Sequence, residues 1–422
     1  MGRSLRAMCS KTVIGIILML AFARQAAGFS VLTHQAIIDV VWKDSLVPLL
    51  KKRFPNATEE DLKKAHAHAY GGAIIQDMGY YPLGSKFFTD LVHYVRTGDF
   101  ILALMQESEN LNEYAFALGA LSHYYTDNYG HAMATNRAVP LVYPELKAEF
   151  GDEITYEEDP IAHVKMEFGF DVLQVARGNY APEAYHEFIG FEVSKEVLER
   201  AFQKTYNLEL KDQFVSLGVA VGTYRRTVSH IFPGLTKAAW NMKESHIKKS
   251  VPGITRRKFQ YRISRASYQK EWGNTYEEPS LWQRFLSWLF RILPKIGPQR
   301  TLAFKPPTPE AEQLFMESFT TTVTHYTAGL KDAGLRNLQL QNTDFDTGKQ
   351  TEPGVYQKAD ATYAELLQKL VKADFKELSP GLKTNILQYY QDPQAFSSTK
   401  RDTKKWEETQ QALTQLKAWE VR

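Results

Sequence analysis

The chain has 422 residues, 44% hydrophobic and 13% aromatic, enough to bury one large or two ordinary cores and too apolar for a disordered polypeptide. The formal net charge of +3 comes from the first 28 residues, which hold Arg3, Arg6, Lys11 and Arg24 and no acid; without them the charge is −1. A chain so close to neutral has no global attraction to nucleic acid, and with Cys9 as its only cysteine an intramolecular disulfide framework is excluded.

The start has the order of a secretory signal: basic residues, an apolar run from Val13 to Phe22, then the small residues Ala26, Ala27 and Gly28. The run is shorter than the roughly 20 residues a membrane-spanning helix needs, and Cys9 precedes it, which argues against a lipoprotein. We therefore expect residues 1–28 to be a cleaved signal peptide, the mature chain to begin at Phe29, and the protein to be periplasmic or secreted. An exported chain without disulfides relies on core burial or on metal.

From Gln35 to Lys52 apolar residues recur at helical spacing, and Pro55-Asn56-Ala57-Thr58 ends that helix and caps the next. The acids Glu59, Glu60 and Asp61 fall in the first turn, where the helix dipole favours them. This second helix carries His66, His68, Gly71 and Gly72 and runs towards Asp77, a single acid in apolar surroundings. Burying it is costly unless a cation pairs with it, so Asp77 is a candidate ligand. His66 and His68 alternate and cannot share a helix face, which makes them surface or supporting residues.

Further helices are expected from Phe87 to Arg96, containing His93, from Phe100 to Asn110, and from Glu113 to Tyr129. In and just beyond the last of these, His123, Asp127 and His131 recur at four-residue intervals and share one helical stripe. The stripe has two readings: core histidines with a helical salt bridge, or imidazole and carboxylate donors for more than one zinc ion. Pro140 and Pro144 break the helical pattern, after which His163 and Glu167 again stand four apart, the spacing that puts two ligands on one metal. At the other end of the segment, a free amino group at Phe29 beside its own carbonyl is a chelating pair that His34 could complete.

In order, Phe29, His34, Asp77, His93, His123, Asp127, His131, His163 and Glu167 resemble the zinc-dependent bacterial phospholipase C family and the related single-strand-specific fungal zinc nucleases. That superfamily has an N-terminal aromatic residue, His, Asp, His, a helical His-x3-Asp followed by another His, then His-x3-Glu or His-x3-Asp. The resemblance spans about Phe29 to His230. It implies three Zn2+ ions: one held by Phe29 and His34, one by Asp77, His93 and His123, with Asp127 bridging these two, and a third held by His131, His163 and Glu167. It further implies attack on a phosphodiester by a hydroxide shared between the bridged ions, with Asp77 and Asp127 as the catalytic carboxylates and Asp77 orienting or deprotonating the attacking water. Two departures stand out. Phe replaces the usual Trp at the mature terminus, and only Asn128, Tyr129 and Gly130 separate Asp127 from His131, a shorter interval than in the family, so the chain departs most at the third site.

Beyond His230 the resemblance fades. Lys243 to Lys270 is basic and broken by Pro252 and Gly253, as in a linker or exposed loop. The apolar stretch from Leu281 to Leu293 has a narrow polar stripe of Arg284, Ser287 and Arg291, which fits either a peripheral membrane contact or a helix packed on the core. Residues 308–340 and 355–392 read as helices around a turn, Asn342-Thr-Asp-Phe-Asp-Thr-Gly348, whose Asp-Thr-Gly lacks the strand context of an aspartic protease. The tail from Lys400 to Arg422 is a charged amphipathic helix.

The sequence thus predicts an all-α protein: a multi-helix catalytic domain with a trinuclear zinc site over residues 29–250 and a helical C-terminal region over 251–422. The expected activity is zinc-dependent phosphodiester hydrolysis, foremost that of a phospholipase C releasing the phosphorylated headgroup of a glycerophospholipid. A single-strand nuclease on the same site and a non-catalytic membrane-surface protein with structural zinc are the alternatives. The expected partner is a phospholipid or other phosphodiester substrate, with no specific nucleic acid.

Overall fold

The computed structural model describes residues 31–81, 83–177, 190–226, 304–396 and 403–420, with positions 240, 244, 245, 248, 253, 255 and 256 between them. Among these the architecture is all-α, with no strand and a single isolated bridge between Thr343 and Gln350. Residues 1–30, with the expected signal segment and Phe29, lie outside the described residues, as do His230 and the stretch from Leu281 to Leu293.

Helix α1 (Val31–Val41) passes through a π turn into α2 (Val47–Arg53), and Thr58 then caps α3 (Glu59–Ile74). The cap is reciprocal, because Thr58 Oγ1 accepts from the Asp61 amide at 3.1 Å while Asp61 Oδ2 accepts from the Thr58 amide at 3.0 Å. A 3-10 turn, Ile75–Tyr80, leads to α4 (Lys86–Tyr94), capped by Ser85, then to α5 (Thr97–Gln106) and to α6 (Leu111–Gly130), capped by Asn110. These caps start their helices within a few residues of where the periodicity placed them.

After α6 a π turn, His131–Thr135, runs into α7 (Asn136–Val142) and α8 (Pro144–Phe150). Pro140 does not break α7 as its type suggests. The Asn136 carbonyl, which a residue at 140 with an N–H would have engaged, accepts instead from the Ile154 amide at 2.9 Å. Helices α9 (Pro160–Arg177), α10 (Lys195–Tyr206) and α11 (Leu217–Arg226) follow. The C-terminal region supplies α12 (Pro309–Gly334), α13 (Gln357–Lys372), α14 (Pro380–Tyr389) and α15 (Thr403–Ala418). The expected helix over 355–392 is thus two, since Ser379 and Pro380 start a new one.

The pair α3 and α6 forms the centre. Gly72 and Gly119 let their backbones touch: a Cβ on Gly72 would lie 1.9 Å from the Phe116 carbonyl oxygen, and one on Gly119 would lie 2.0 Å from that of Ala69. One apolar core extends from Ile37 and Phe116 to Tyr326, Leu366 and Leu413, so the C-terminal helices complete the core that the earlier ones begin. Helix α12 lies across α1, α6 and α7, and Tyr326 donates from its hydroxyl to the Leu118 carbonyl at 2.8 Å.

Candidate metal centre

The candidate residues within the described segments converge at the C-terminal half of α6. His34 comes from α1, Asp77 from the 3-10 turn, His93 from α4, His123 and Asp127 from α6, His131 from the π turn, and His163 and Glu167 from α9. They form two clusters: the donor atoms of Asp77, His93, His123 and Asp127 lie within 4.8 Å of one another, as do those of His131, His163 and Glu167.

The α6 stripe serves both clusters because four residues advance a helix by about 400°, so successive members lean about 40° further round the axis. His123 and Asp127 point into the first cluster, and His131, two steps on, reaches the second. The short interval before His131 therefore brings it to His163 and Glu167, with Nε2 at 3.0 Å from Glu167 Oε1.

In the first cluster His123 Nδ1 lies 2.9 Å from the Ala73 carbonyl and His93 Nδ1 lies 2.8 Å from that of Thr89. A carbonyl only accepts, so each Nδ1 carries a proton and Nε2 is the nitrogen left to offer a lone pair to a metal. These two Nε2 atoms face each other at 3.4 Å. Asp127 Oδ2 lies 3.0 Å from that of His123 and 3.5 Å from that of His93, and Asp77 Oδ1 lies 3.3 Å from that of His93. Lone pairs and carboxylate oxygens converging in a water-poor interior call for a cation between them.

Asp127 also turns its other oxygen the opposite way, with Oδ1 at 3.3 Å from His34 Nε2. The His34 ring stacks on His123, centroids 4.5 Å apart, and its Nδ1 is buried without a hydrogen-bond partner among the described residues. One carboxylate thus stands between His34 on one side and His93 and His123 on the other. Helix α1 is fixed there by Asp171 of α9, whose carboxylate accepts from the amides of Leu32 at 3.2 Å and Thr33 at 3.1 Å and from the Thr33 hydroxyl at 2.7 Å.

The second cluster follows the same logic. His131 Nδ1 donates to the Phe345 carbonyl at 3.0 Å, and His163 Nε2 lies 3.1 Å from Asn136 Oδ1. The nitrogens left are His131 Nε2 and His163 Nδ1, and both face Glu167 Oε1, at 3.0 and 3.4 Å.

Protonation reflects this crowding. Burial acts to lower the pKa of His93, but Asp127 and Asp77 outweigh it and hold the ring at about 10. His131 is likewise held well above its ordinary value, against burial, by Asp127, Asp346 and Glu167. His163 is pushed down to about 3 by burial and by the charge of His131. Protons thus occupy positions where metal would bind, and metal has to displace them. The donor set of imidazole nitrogen and carboxylate oxygen suits zinc.

Residues 33–214 match the family model described as zinc dependent phospholipase C. This segment belongs to the zinc-dependent phospholipase C family. No curated protein and no solved structure matches the chain. The zinc-dependent phospholipase C segment contains every candidate ligand within the described residues, and Phe29 lies just before it.

Some residues at the centre escaped the sequence reading. The two clusters open on one small cavity of about 30 Å3 whose walls include Tyr80, Tyr156 and Asp346. Asp171 does carry a sequence signal, since it extends the His163 and Glu167 stripe by another four residues. Asn136 had no signal, and Phe345 and Asp346 had none beyond the turn-forming composition around them. His66 and His68 belong to neither cluster: His66 Nε2 pairs with Asp39 at 3.0 Å and His68 Nδ1 with Ser194 Oγ at 2.8 Å.

Proposed function

We propose that this chain hydrolyses phosphodiesters with the aid of zinc, and that its substrates are glycerophospholipids cleaved as by a phospholipase C. The observation that carries this reading is the two-sided placement of Asp127, 3.3 Å from His34 on one side and 3.0 Å from His123 on the other. A structural zinc site is closed by its own ligands, whereas a carboxylate shared between neighbouring donor sets suits adjacent ions that keep positions open for water and substrate.

On this reading Phe29 and His34 hold one ion, Asp77, His93 and His123 a second, with Asp127 shared, and His131, His163 and Glu167 a third. When bound, zinc supplies Lewis acidity, lowering the pKa of water and stabilising charge on phosphoryl oxygens. The chain supplies the rest. The carbonyls of Ala73 and Thr89 fix the rings of His123 and His93, so their donor atoms need no reorganisation. Asp77 lines the cavity and is the chain's own candidate to orient the attacking water or take its proton. Tyr80 and Tyr156, ring centroids 5.4 Å apart, wall the cavity. Burial holds both phenols protonated, Tyr80 with added repulsion from Tyr156 and Tyr156 with added repulsion from Asp346, so each hydroxyl can donate to a phosphoryl oxygen.

The reading includes export with cleavage after Gly28, which would free the Phe29 amino group, and peripheral membrane contact through Leu281 to Leu293. Among the described residues no helix is long and apolar enough to cross a membrane. The test is metal analysis of the mature protein together with chelator-reversible hydrolysis of a phosphocholine diester and of single-stranded DNA. Hydrolysis of the lipid that stops with chelator and returns with zinc is expected. Cleavage of DNA alone would make the chain a nuclease, and bound zinc with neither activity would leave a structural metal protein.

A further inference from the structure

The loop 343–350 comes from the C-terminal region, more than a hundred residues past the end of the family match at residue 214, yet it reaches into the centre. It is held at both ends. Thr97 at the start of α5 exchanges two hydrogen bonds with Thr343, at 2.8 and 2.9 Å, and the Gly348 amide donates to the Asp344 carbonyl at 2.9 Å. Gly348 has φ +67, and a Cβ on it would stand 2.3 Å from the Asn128 carbonyl oxygen. Only glycine lets the loop turn left-handed while pressed against the end of α6.

The tip makes contacts that bear on the candidate ligands. The Phe345 amide donates to the His93 carbonyl at 3.1 Å, and the Phe345 carbonyl accepts from His131 Nδ1 at 3.0 Å. The Phe345 ring is fully buried edge-on to that of His93, centroids 5.3 Å apart. Asp346, 2% exposed, accepts from the Tyr94 hydroxyl at 2.9 Å and from that of Tyr356, and its Oδ1 lies 3.5 Å from His131 Nδ1. Its main-chain carbonyl accepts from Asn136 Nδ2 at 2.7 Å, and the same amide engages His163 Nε2 through Oδ1.

We propose that loop 343–350 is a working part of the metal centre and that Asp346 is a positioning residue for the third ion, its carboxylate acting through the ring of His131 while its main-chain carbonyl orients Asn136 behind His163. This rests on the zinc reading above. With a proton kept on His131 Nδ1 and on His163 Nε2 by this loop and by Asn136, the lone pairs of His131 Nε2 and His163 Nδ1 are the ones turned to Glu167. Carboxylates and carbonyls behind metal-bound histidines act in this way, and losing one typically weakens metal binding by about 10–100-fold. The C-terminal region then carries part of the site's chemistry in addition to part of the core.

The test uses the full mature chain with Asp346→Ala, Asp346→Asn and Asn136→Ala, and Tyr363→Phe as a control. Tyr363 is buried in the same region and donates to Asn385 Oδ1 at 3.2 Å, away from the centre. Zinc per chain is measured by competition with a graded set of chelators, and the visible spectrum of the cobalt-substituted protein reports the geometry of the ligands. Wild type should hold three ions. Asp346→Ala and Asn136→Ala should weaken one of the three by about 10–100-fold, with a changed cobalt spectrum and the other two retained. Asp346→Asn, which keeps an acceptor for the tyrosines, should restore part of that affinity. Tyr363→Phe should lower the unfolding temperature and leave all three ions in place.

Three ions held with wild-type affinity in both alanine variants would overturn the proposal. So would loss of all ions in parallel with loss of folded protein in all three centre variants, since the loop would then serve the fold alone. A wild-type chain that binds no zinc would overturn the zinc reading and this proposal with it, a failure visible before any substitution is made.

Discussion

His93 and His123 bring their Nε2 atoms to 3.4 Å while each ring gives its Nδ1 to a main-chain carbonyl. Without metal, His93 keeps an extra proton: burial acts to remove it, but Asp127 and Asp77 hold the ring at about 10. The ordinary histidine value is about 6.5. A pKa raised on folding gives stability that is fully present below pH 6.5 and is lost as pH climbs towards 10. Zinc must expel the same proton, so the sign for metal is opposite: affinity rises with pH, about tenfold per unit for each proton displaced. Chelator-treated protein should therefore melt at a lower temperature at pH 9.5 than at pH 6.5, while zinc affinity from chelator competition increases over the same interval. Affinity flat with pH would mean that His93 is neutral or is no ligand.

The two-sided carboxylate makes its own prediction. If Asp127 serves two ions and Glu167 one, Asp127→Ala should release two zinc ions per chain and Glu167→Ala only one. Activity should fall in the first variant by more than the roughly 10²–10³-fold that loss of a single transition-state donor brings. Counting metal by mass spectrometry of the native protein decides the matter, and equal losses in the two variants would remove the bridge.

What could be read from the chain beforehand follows a physical division. The helices were legible because caps such as Thr58, Ser85 and Asn110 and the 3.6-residue period are local, and a stripe such as His123 and Asp127 is legible for the same reason. The spacing before His131 departs from the family's, yet the advance of the helix takes this residue to His163 and Glu167, in the cluster the resemblance implies for it. Asp346 could not be found this way. Its contact with His131 joins residues 215 apart in sequence, and the Asn-Thr-Asp-Phe-Asp-Thr-Gly stretch is in fact a turn, with Gly348 where a turn needs it. Nothing local in a turn says that one of its acids is buried against a histidine.

Asp171 supports a third prediction. Burial raises its pKa to about 7, although the Thr33 hydroxyl and the amides of Leu32 and Thr33 favour the charged form. A carboxyl whose pKa is raised from about 3.9 on folding costs stability progressively as pH rises from 4 to 7, after which the cost is constant. Asp171→Asn should abolish that decline in thermal unfolding. Asp171→Ala removes the acceptor for the start of α1 as well, and should cost about 1 kcal/mol, the usual worth of such a cap. Because α1 carries His34, the alanine variant should also hold the ion shared with Phe29 more weakly. Unchanged zinc content in Asp171→Ala would show that α1 is held by its apolar face alone.

The amino terminus can be tested without touching a side chain. If the Phe29 amino group is a ligand, one extra residue before it should cost the bridged pair an ion and leave the cluster of His131, His163 and Glu167 filled. A chain with this extension and full zinc content and activity would remove Phe29 from the site.

The close crossing of α3 and α6 links packing to the centre. It is Gly119 against Ala69 and Gly72 against Phe116 that bring the Ala73 carbonyl within 2.9 Å of His123 Nδ1. In Gly119→Ala the new methyl would meet main-chain atoms 2.0 Å away, which cannot swing aside as a side-chain tip can, so the helices must separate. Overpacking of this kind costs about 1–3 kcal/mol, and the separation should loosen His123 and release the ion it shares with Asp77 and His93. Gly130 provides the contrast, since it closes the same helix and a Cβ there meets nothing within 4 Å. Gly130→Ala should stabilise the chain by about 0.4–1 kcal/mol through reduced freedom of the unfolded state. Thermal unfolding with and without chelator separates the effects: the Gly119 variant should melt lower in both conditions and bind less zinc, and the Gly130 variant should melt higher with its zinc unchanged. A Gly119 variant that melts lower yet keeps all its zinc would mean that the Ala73 carbonyl is dispensable for holding the His123 ring.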